Sequence, residues 1–319
     1  MNKKFISVIS ILAIVGLAGC DDTSTSLISQ TTSTTSQTSN DDSTSTEVTS
    51  EDSSIEDSSS IESSSEASSS TIGGFPYNPN LPASVKSYYS VMDYSISDMA
   101  TLKTDFGALI NDHHDVGYDG LKEVYRTSDI KKDGTVWDIY SDTSYSFNGS
   151  EAYGNYKEEG DAFNREHTVP KSWFGKASPM LSDAFHVYPS DGKVNGLRGN
   201  NEYGNVVKAT YTSTNGCMLG SDERGTTVFE VCDEYKGDIA RSYFYMATCY
   251  ESRAGSWGHS FSNANYTKLS SRCLELMLEW AKNDPVSQKE IDRNNAIYQW
   301  QENRNPYIDY PGLDQYIFG

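Results

Sequence analysis

Residues 21–75 constrain the fold more than any other feature, because they cannot themselves build a core. The stretch is Ser, Thr, Asp and Glu with almost no large apolar side chains, and it holds eleven acidic residues with no Lys or Arg. Such a segment cannot bury enough apolar surface to offset the entropy of ordering it. Its like charges repel and extend it. The sequence therefore predicts a disordered acidic tether over 21–75. Any packed structure must come from residues 76–319, a span long enough for one sizeable core. No repeat or second linker interrupts that span.

The first twenty residues have a different character. Lys3 and Lys4 precede an apolar run from Phe5 to Leu17, and Leu17-Ala18-Gly19-Cys20 has the form of a lipobox. The run is too short to span a membrane as a helix and ends at small residues suited to processing. Residues 1–20 thus read as a lipoprotein signal peptide. Cys20 would be lipidated, become the mature N-terminus and anchor the protein on the extracytoplasmic face of the cell membrane, whence it could be shed or secreted. The alternative is an ordinary signal peptide with an incidental cysteine.

Charge bears on the partners. The chain carries a net charge of −20. With Lys3 and Lys4 removed, the tether and the domain each carry about −11. An acidic domain is poorly suited to a sequence-independent grip on nucleic acid, which normally rests on a basic surface. Residues 165–208 depart from this balance, with six cations (Arg165, Lys171, Lys176, Lys193, Arg198, Lys208) against four acids (Glu166, Asp183, Asp191, Glu202). Four cysteines remain in the domain: Cys217, Cys232, Cys249 and Cys273. Export permits disulfides, and three full pairings are open. A Cys217–Cys232 bridge closing a short loop is the weak preference. The spacings do not suit a structural zinc site.

Local patterns place the elements. Leu102, Phe106, Leu109 and Ile110 give Thr101–Ile110 a helical period. Thr135–Asp142 reads as a strand. Ala184–Tyr188 reads as a short strand ending at Pro189, after which Ser190 or Asp191 can cap a helix from Gly192 that holds Asn195 in its first turns. Ile239–Tyr250 and Cys273–Ala281 read as helices. Ser287-Gln288-Lys289-Glu290 has the capping-box form and opens the last one. His113-His114, between Asp112 and Asp115, reads as a solvated helix end, since adjacent helical side chains diverge. His259 reads as a loop residue.

Three motifs lie close together within this frame. Asn164-Arg165-Glu166-His167 is followed by Pro170-Lys171-Ser172-Trp173-Phe174; then come Asp183-Ala184-Phe185-His186-Val187-Tyr188-Pro189-Ser190-Asp191, and Lys193-Val194-Asn195-Gly196-Leu197-Arg198-Gly199-Asn200 with Tyr203-Gly204. A carboxylate, an adjacent imidazole, an amide and several cations are the parts needed for metal-assisted phosphodiester cleavage. The stretch resembles the endonuclease I family of secreted and periplasmic bacterial nucleases, whose patterns look like R-E-H-x-x-P-x-S-W, D-L-H-H-L-x-P-S-D and V-N-x-x-R-x-N. Gly237-Asp238-Ile239-Ala240-Arg241 and Asn303-Arg304-Asn305-Pro306-Tyr307 extend the resemblance, which covers roughly residues 85–317.

The resemblance implies an α+β fold with a ββα-metal (His-Me finger) core embedded among helices. It implies a largely non-specific endonuclease that uses one divalent ion (Mg²⁺, or Ca²⁺ or Mn²⁺) on DNA, with RNA left open as a second substrate and a monomer expected. His167 is the candidate general base, since a neutral imidazole can take a proton from water. Glu166 and Asn195 are the candidate metal ligands, both offering hard oxygens. On an extended strand Glu166 and His167 face opposite sides, so both can serve one site only where the strand ends or bends. Arg198 is a candidate catalytic residue that either meets a phosphate or pairs with a carboxylate and holds its helix. Arg165 and Arg241 are further candidates for the phosphate. His186 takes the second histidine position of the family pattern, with Phe185 replacing the first. It either orients a ligand from behind or is a satisfied buried histidine. Pro170 and Trp173 read as packing residues. Two rival readings remain: a non-catalytic surface adhesin or nucleic-acid-binding lipoprotein that retained the nuclease fold, and a phosphoesterase acting on small nucleotides.

Overall fold

A computed structural model of the chain describes residues 70–72, 74–150 and 152–319. The signal peptide, Cys20 and most of the tether lie outside the described residues. Among the described residues no helix is long and apolar enough to cross a membrane. The end of the segment read as tether pairs as two short antiparallel strands, β1 (Ser70–Ile72) and β2 (Phe75–Tyr77). Phe75 is buried and packs edge-on against Tyr310 and Tyr316, so aromatic burial ends the tether here.

Two helices follow, α1 (Ala83–Tyr88) and α2 (Met99–Asn111). Asp98 caps α2 by accepting the Thr101 N–H at 3.0 Å, and Leu102, Phe106 and Ile110 enter the core as their spacing predicts. The solvated helix end expected at His113 is not found. Its side chain is 1 % exposed, and Nε2 lies 2.9 Å from the Tyr250 hydroxyl and 3.7 Å from the Asp183 carboxylate. Beyond the end of α2 the chain leaves helical geometry and His113 turns inward, so helical divergence no longer applies; His114 stays exposed, as do Asp112 and Asp115. Asp183 accepts from Tyr245, Tyr250, Gln301 and the Phe185 N–H. Burial alone would raise its pKa, but the nearby His113 and His186 and these donors hold it below the usual carboxylate value. The ligand-type atoms of His113, Asp183 and Cys249 lie within 4.8 Å of one another.

After α3 (Leu121–Ser128), the strand expected over Thr135–Asp142 is absent; only the isolated bridges Ile130–Val136 and Thr135–Ser146 form. Asp138 is the reason. Its buried carboxylate accepts from the Tyr140 N–H (2.7 Å) and the Ser141 hydroxyl (2.6 Å), which folds the segment into a turn.

β3 (Phe163–His167) and β4 (Val187–Asp191) then form a two-stranded antiparallel sheet, with Arg165 opposite Pro189 and His167 opposite Val187. β4 runs through Pro189 rather than stopping at it. The Pro189 carbonyl faces outward, where it accepts the Ile139 N–H at 3.4 Å. The N–H that proline lacks would have pointed the same way, so the ladder loses nothing. α4 (Gly192–Arg198) starts directly after β4. A three-stranded antiparallel sheet follows: β5 (Lys208–Thr212), β6 (Met218–Ser221) and β7 (Thr227–Glu230). The Cys232 N–H points at Cys217 Sγ, 3.2 Å away; all four domain cysteines are thiols here.

The C-terminal third is helical: α5 (Lys236–Cys249), α6 (Glu251–Ala254), α7 (Ser271–Asn283), α8 (Gln288–Gln301), α9 (Pro306–Asp309) and α10 (Leu313–Phe318). α5 is buried on every side from Gly237 to Cys249 and packs along α7 and α2, as a central helix must. The capping box forms at Ser287 and Glu290. These helices hold the small sheet in place. On α5, Ser242 reaches the Phe185 carbonyl (2.9 Å) and the Tyr188 hydroxyl (3.0 Å), and Tyr243 donates to the Thr168 carbonyl (3.2 Å). On α8, Arg293 binds Asp129 and the carbonyls of Ala184 and Val187, with its guanidinium 3.8 Å above the Tyr188 ring. The architecture is mixed α and β, with a strand, loop, strand and helix set among helices.

Candidate active site

The β3–β4–α4 unit gathers the motif residues. Asp191, the last residue of β4, caps α4 by accepting the Val194 N–H at 2.8 Å. This fixes the helix direction and sets Asn195 on its first turn. The Asn195 side chain meets the Arg165 carbonyl of β3 at 3.1 Å and the Ser190 hydroxyl at 3.3 Å. A carbonyl only accepts, so the amide nitrogen occupies that side. Neither contact engages the amide oxygen.

Arg198, at the far end of α4, is 1 % exposed and fastens the helix to the end of β3. It donates to Glu166 Oε1 (2.6 Å), to the His167 carbonyl (2.8 Å) and to the Thr168 carbonyl (2.7 Å). Its guanidinium also lies 4.6 Å from the Tyr203 ring centre. Of the two roles open in the sequence, this geometry is that of a carboxylate partner. Glu166 Oε1 accepts a second bond from Tyr140 (2.9 Å), whose hydroxyl meets that of Tyr203 at 2.7 Å. Both bonds are to Oε1. Burial raises the Glu166 pKa and the Arg198 charge opposes that rise. The buried guanidinium stays charged, with its pKa raised by the surrounding tyrosines and Glu166 against the effect of burial.

β3 ends at His167. The ring sits among Tyr118, Phe174 and His186, with ring centres 6.0, 6.5 and 5.6 Å away. Nε2 contacts the Leu181 carbonyl at 3.0 Å. That carbonyl can only accept, so Nε2 carries the proton and Nδ1 keeps the lone pair. Burial, with His186 alongside, holds the His167 pKa well below the usual histidine value. The ring is therefore neutral at neutral pH. His186 repeats the arrangement one residue earlier, with Nε2 at 2.6 Å from the Met180 carbonyl and Nδ1 buried without a partner among the described residues. The loop from 168 to 186 thus folds back so that two successive carbonyls fix two imidazoles.

The remaining candidates separate. Arg241 on α5 is wholly occupied by the buried Glu290 (2.5 and 2.9 Å) and the Asp284 carbonyl (3.0 Å); it binds α5 to the start of α8. Arg165 lies between the Tyr118 and Tyr153 rings, 4.1 and 4.5 Å from their centres. Trp173 stacks on His259 with 4.5 Å between ring centres. Sequence reasoning did not assign Tyr140, Tyr203 or Tyr118 a place at this site. Only Tyr203 stood within a quoted motif.

The donors suit a hard divalent ion. A carboxylate and an amide oxygen on adjoining elements are oxygen ligands of the kind Mg²⁺, Ca²⁺ and Mn²⁺ accept, and no thiol or imidazole nitrogen need join them. Asn195, turned by its nitrogen contacts, has its oxygen available for this.

Comparison with known proteins bears on the same unit. Residues 98–312 match the family described as Endonuclease I. An extracellular ribonuclease of Bacillus amyloliquefaciens is 32% identical over 262 residues, covering 76% of this chain and 84% of that protein. An endonuclease-1 of Buchnera aphidicola subsp. Baizongia pistaciae is 33% identical over 128 residues, 40% of this chain and 46% of its own length. An extracellular deoxyribonuclease of Aeromonas hydrophila is 24% identical over 184 residues, 49% of this chain and 69% of its own.

Proposed function

The chain belongs to the Endonuclease I family, and on that premise we propose that it is a divalent-metal-dependent endonuclease that hydrolyses phosphodiester bonds in DNA and RNA outside the cytoplasm, with little sequence preference. The relatives named for ribonuclease and for deoxyribonuclease activity support both substrates, and their extracellular naming supports the location. The observation that carries the chemistry is the His167 tautomer. With Nε2 committed to the Leu181 carbonyl, Nδ1 is a fixed, neutral base. It takes a proton from water while the water oxygen attacks phosphorus. The bond from phosphorus to the 3′-oxygen breaks, that oxygen takes a proton from solvent to become the 3′-hydroxyl, His167 returns its proton to solvent, and the phosphate stays on the 5′ end.

Glu166 and Asn195 would hold the ion, which would supply positive charge against the charge developing at phosphorus and on the leaving oxygen. Arg198 and Tyr140 hold the Glu166 carboxylate in place. Arg198 also fixes the backbone of His167 and Thr168, so one side chain sets the relation of ligand to base. His186 shapes the back of the His167 pocket. Lipidation of Cys20 keeps the domain on the outer face of the membrane, at the end of its acidic tether. The test is cleavage of a supercoiled plasmid and of a structured RNA by the purified chain, with Mg²⁺ and with chelator. The proposal requires cleavage that chelator abolishes. A folded, metal-supplied protein that cuts neither substrate would remove it.

A further inference from the structure

An acidic nuclease must still hold a polyanion, and the buried arginines differ in a way that shows how. Arg198, Arg241, Arg293 and Arg304 each pair with a buried carboxylate: Glu166, Glu290, Asp129 and Asp309. Their charge is neutralised where they stand. Arg165, on β3 and next to Glu166, is held differently. Its guanidinium lies between two tyrosine rings; among the described residues Nε has no partner and the carboxylate contact is Asp119 at 3.2 Å, whose side chain is 87% exposed.

The same rings hold two more cations. Lys171 Nζ lies 5.5 Å from the Tyr118 centre, and Lys122 Nζ lies 5.0 Å from the Tyr153 centre. The order is Lys171, Tyr118, Arg165, Tyr153, Lys122, cation and ring alternating. A ring face attracts a cation without cancelling its charge, so the row stays positive within a chain of net charge −20. It also starts at the reaction centre. Tyr118 stacks on the His167 ring with an interplanar angle of 22°, and the Lys171 charge acts on both Glu166 and His167.

Resting on the nuclease reading, we propose that Lys171, Arg165 and Lys122 form the track that holds the phosphates of the substrate strand beside His167, and that Asp119 is the anion those phosphates displace. Asp119 bridges both Arg165 and Lys122, each at 3.2 Å. The Asp119 carboxylate is 87% exposed in both bridges, and its surface bridge to Lys122 contributes at most about 1 kcal/mol, so an incoming phosphate can take its place. The rings keep the long side chains extended, which lowers the entropy lost on binding.

The experiment uses the full chain carrying His167→Ala, which binds without turnover, and measures the affinity of a labelled DNA duplex by fluorescence anisotropy across a range of NaCl. Lys171→Gln and Lys122→Gln are each expected to weaken binding and to reduce the slope of log affinity against log salt by about 0.9. Asp119→Asn is expected to tighten binding. Lys282→Gln, on α7 and outside the row, is the control and leaves the slope unchanged. Lys122 and Asp119 are exposed enough that their variants fold. Binding by the parent with slopes that match the control in every variant would overturn the track while leaving the nuclease reading intact. No binding by the parent at low salt would overturn both.

Discussion

Arg198 offers the sharpest test of how the site is built, because its two possible roles predict different losses. Replacing it with Met keeps the side-chain bulk and removes the charge and all three bonds, to Glu166, His167 and Thr168. Hydrogen bonds from a charged donor contribute roughly 1.5–3 kcal/mol each, though not additively. Breaking a buried ion pair from one side costs about 3–5 kcal/mol, because the partner is left uncompensated. Glu166, 2 % exposed, is that partner. Arg198→Met should therefore destabilise the domain by about 4 kcal/mol, read as a melting temperature lower by on the order of 10 °C for a domain of this size. Urea unfolding of Arg198→Met, Glu166→Gln and the double variant completes the cycle. The double variant should recover part of the loss, since it removes the stranded charge. A clamp predicts this loss together with weakened metal affinity. A residue that only meets phosphate predicts a large loss of turnover with stability within about 0.5 kcal/mol of the parent, and that outcome would refute the clamp.

Four further expectations follow from the structure. Because the folded His167 pKa lies well below 6.5, the acid limb of kcat/KM should fall below about pH 6.5; a limb at or above it would mean another base. The His167 and His186 pKa values are both depressed in the fold, so the unfolded chain binds protons more readily. Stability should hold above about pH 6.5 and decline as pH falls below it, measurable by urea unfolding between pH 7.5 and pH 5. Asp183→Ala should cost about 3 kcal/mol or more, since it strands Tyr245, Tyr250, Gln301 and the Phe185 N–H; a change under 1 kcal/mol would show that this network adds little. The Cys232 N–H lies 3.2 Å from Cys217 Sγ; a Cys217–Cys232 bridge is expected in exported protein, and closing that span should add about 3 kcal/mol. A peptide linking the two by mass spectrometry is the expected result, and four titratable thiols in exported protein would contradict it.

Much of the framework was legible because local chemistry determined it. Asp98, Asp191 and Ser287 precede helices and cap them, and the apolar spacing of Leu102, Phe106 and Ile110 marks the face that α2 buries. The features that escaped depend on contacts distant in sequence. Thr135–Asp142 carries strand-type residues, but the Asp138 carboxylate competes for its backbone and wins. His113 sits in a polar run that reads as solvated, yet Asp183 and Tyr250 draw it inside. Tyr140 supports Glu166 from 26 positions away and meets Tyr203 from 63 away. In a chain with 22 tyrosines, no local signal separates Tyr140 from the tyrosines that only fill the core, and Tyr203 is marked only by its place beside the third motif. Arg241 and Arg198 look alike in sequence, and only their partners, Glu290 on α8 and Glu166 at the site, distinguish them.

The central claim is that His167 Nδ1 activates the attacking water. Single-turnover cleavage of a plasmid in Mg²⁺, comparing the parent with His167→Ala at saturating enzyme, tests it most directly. The account predicts a rate lower by about 10²–10⁴-fold in the variant, with DNA affinity unchanged and activity partly restored by added imidazole. A variant that cuts within a few-fold of the parent rate, with metal still required, would contradict it.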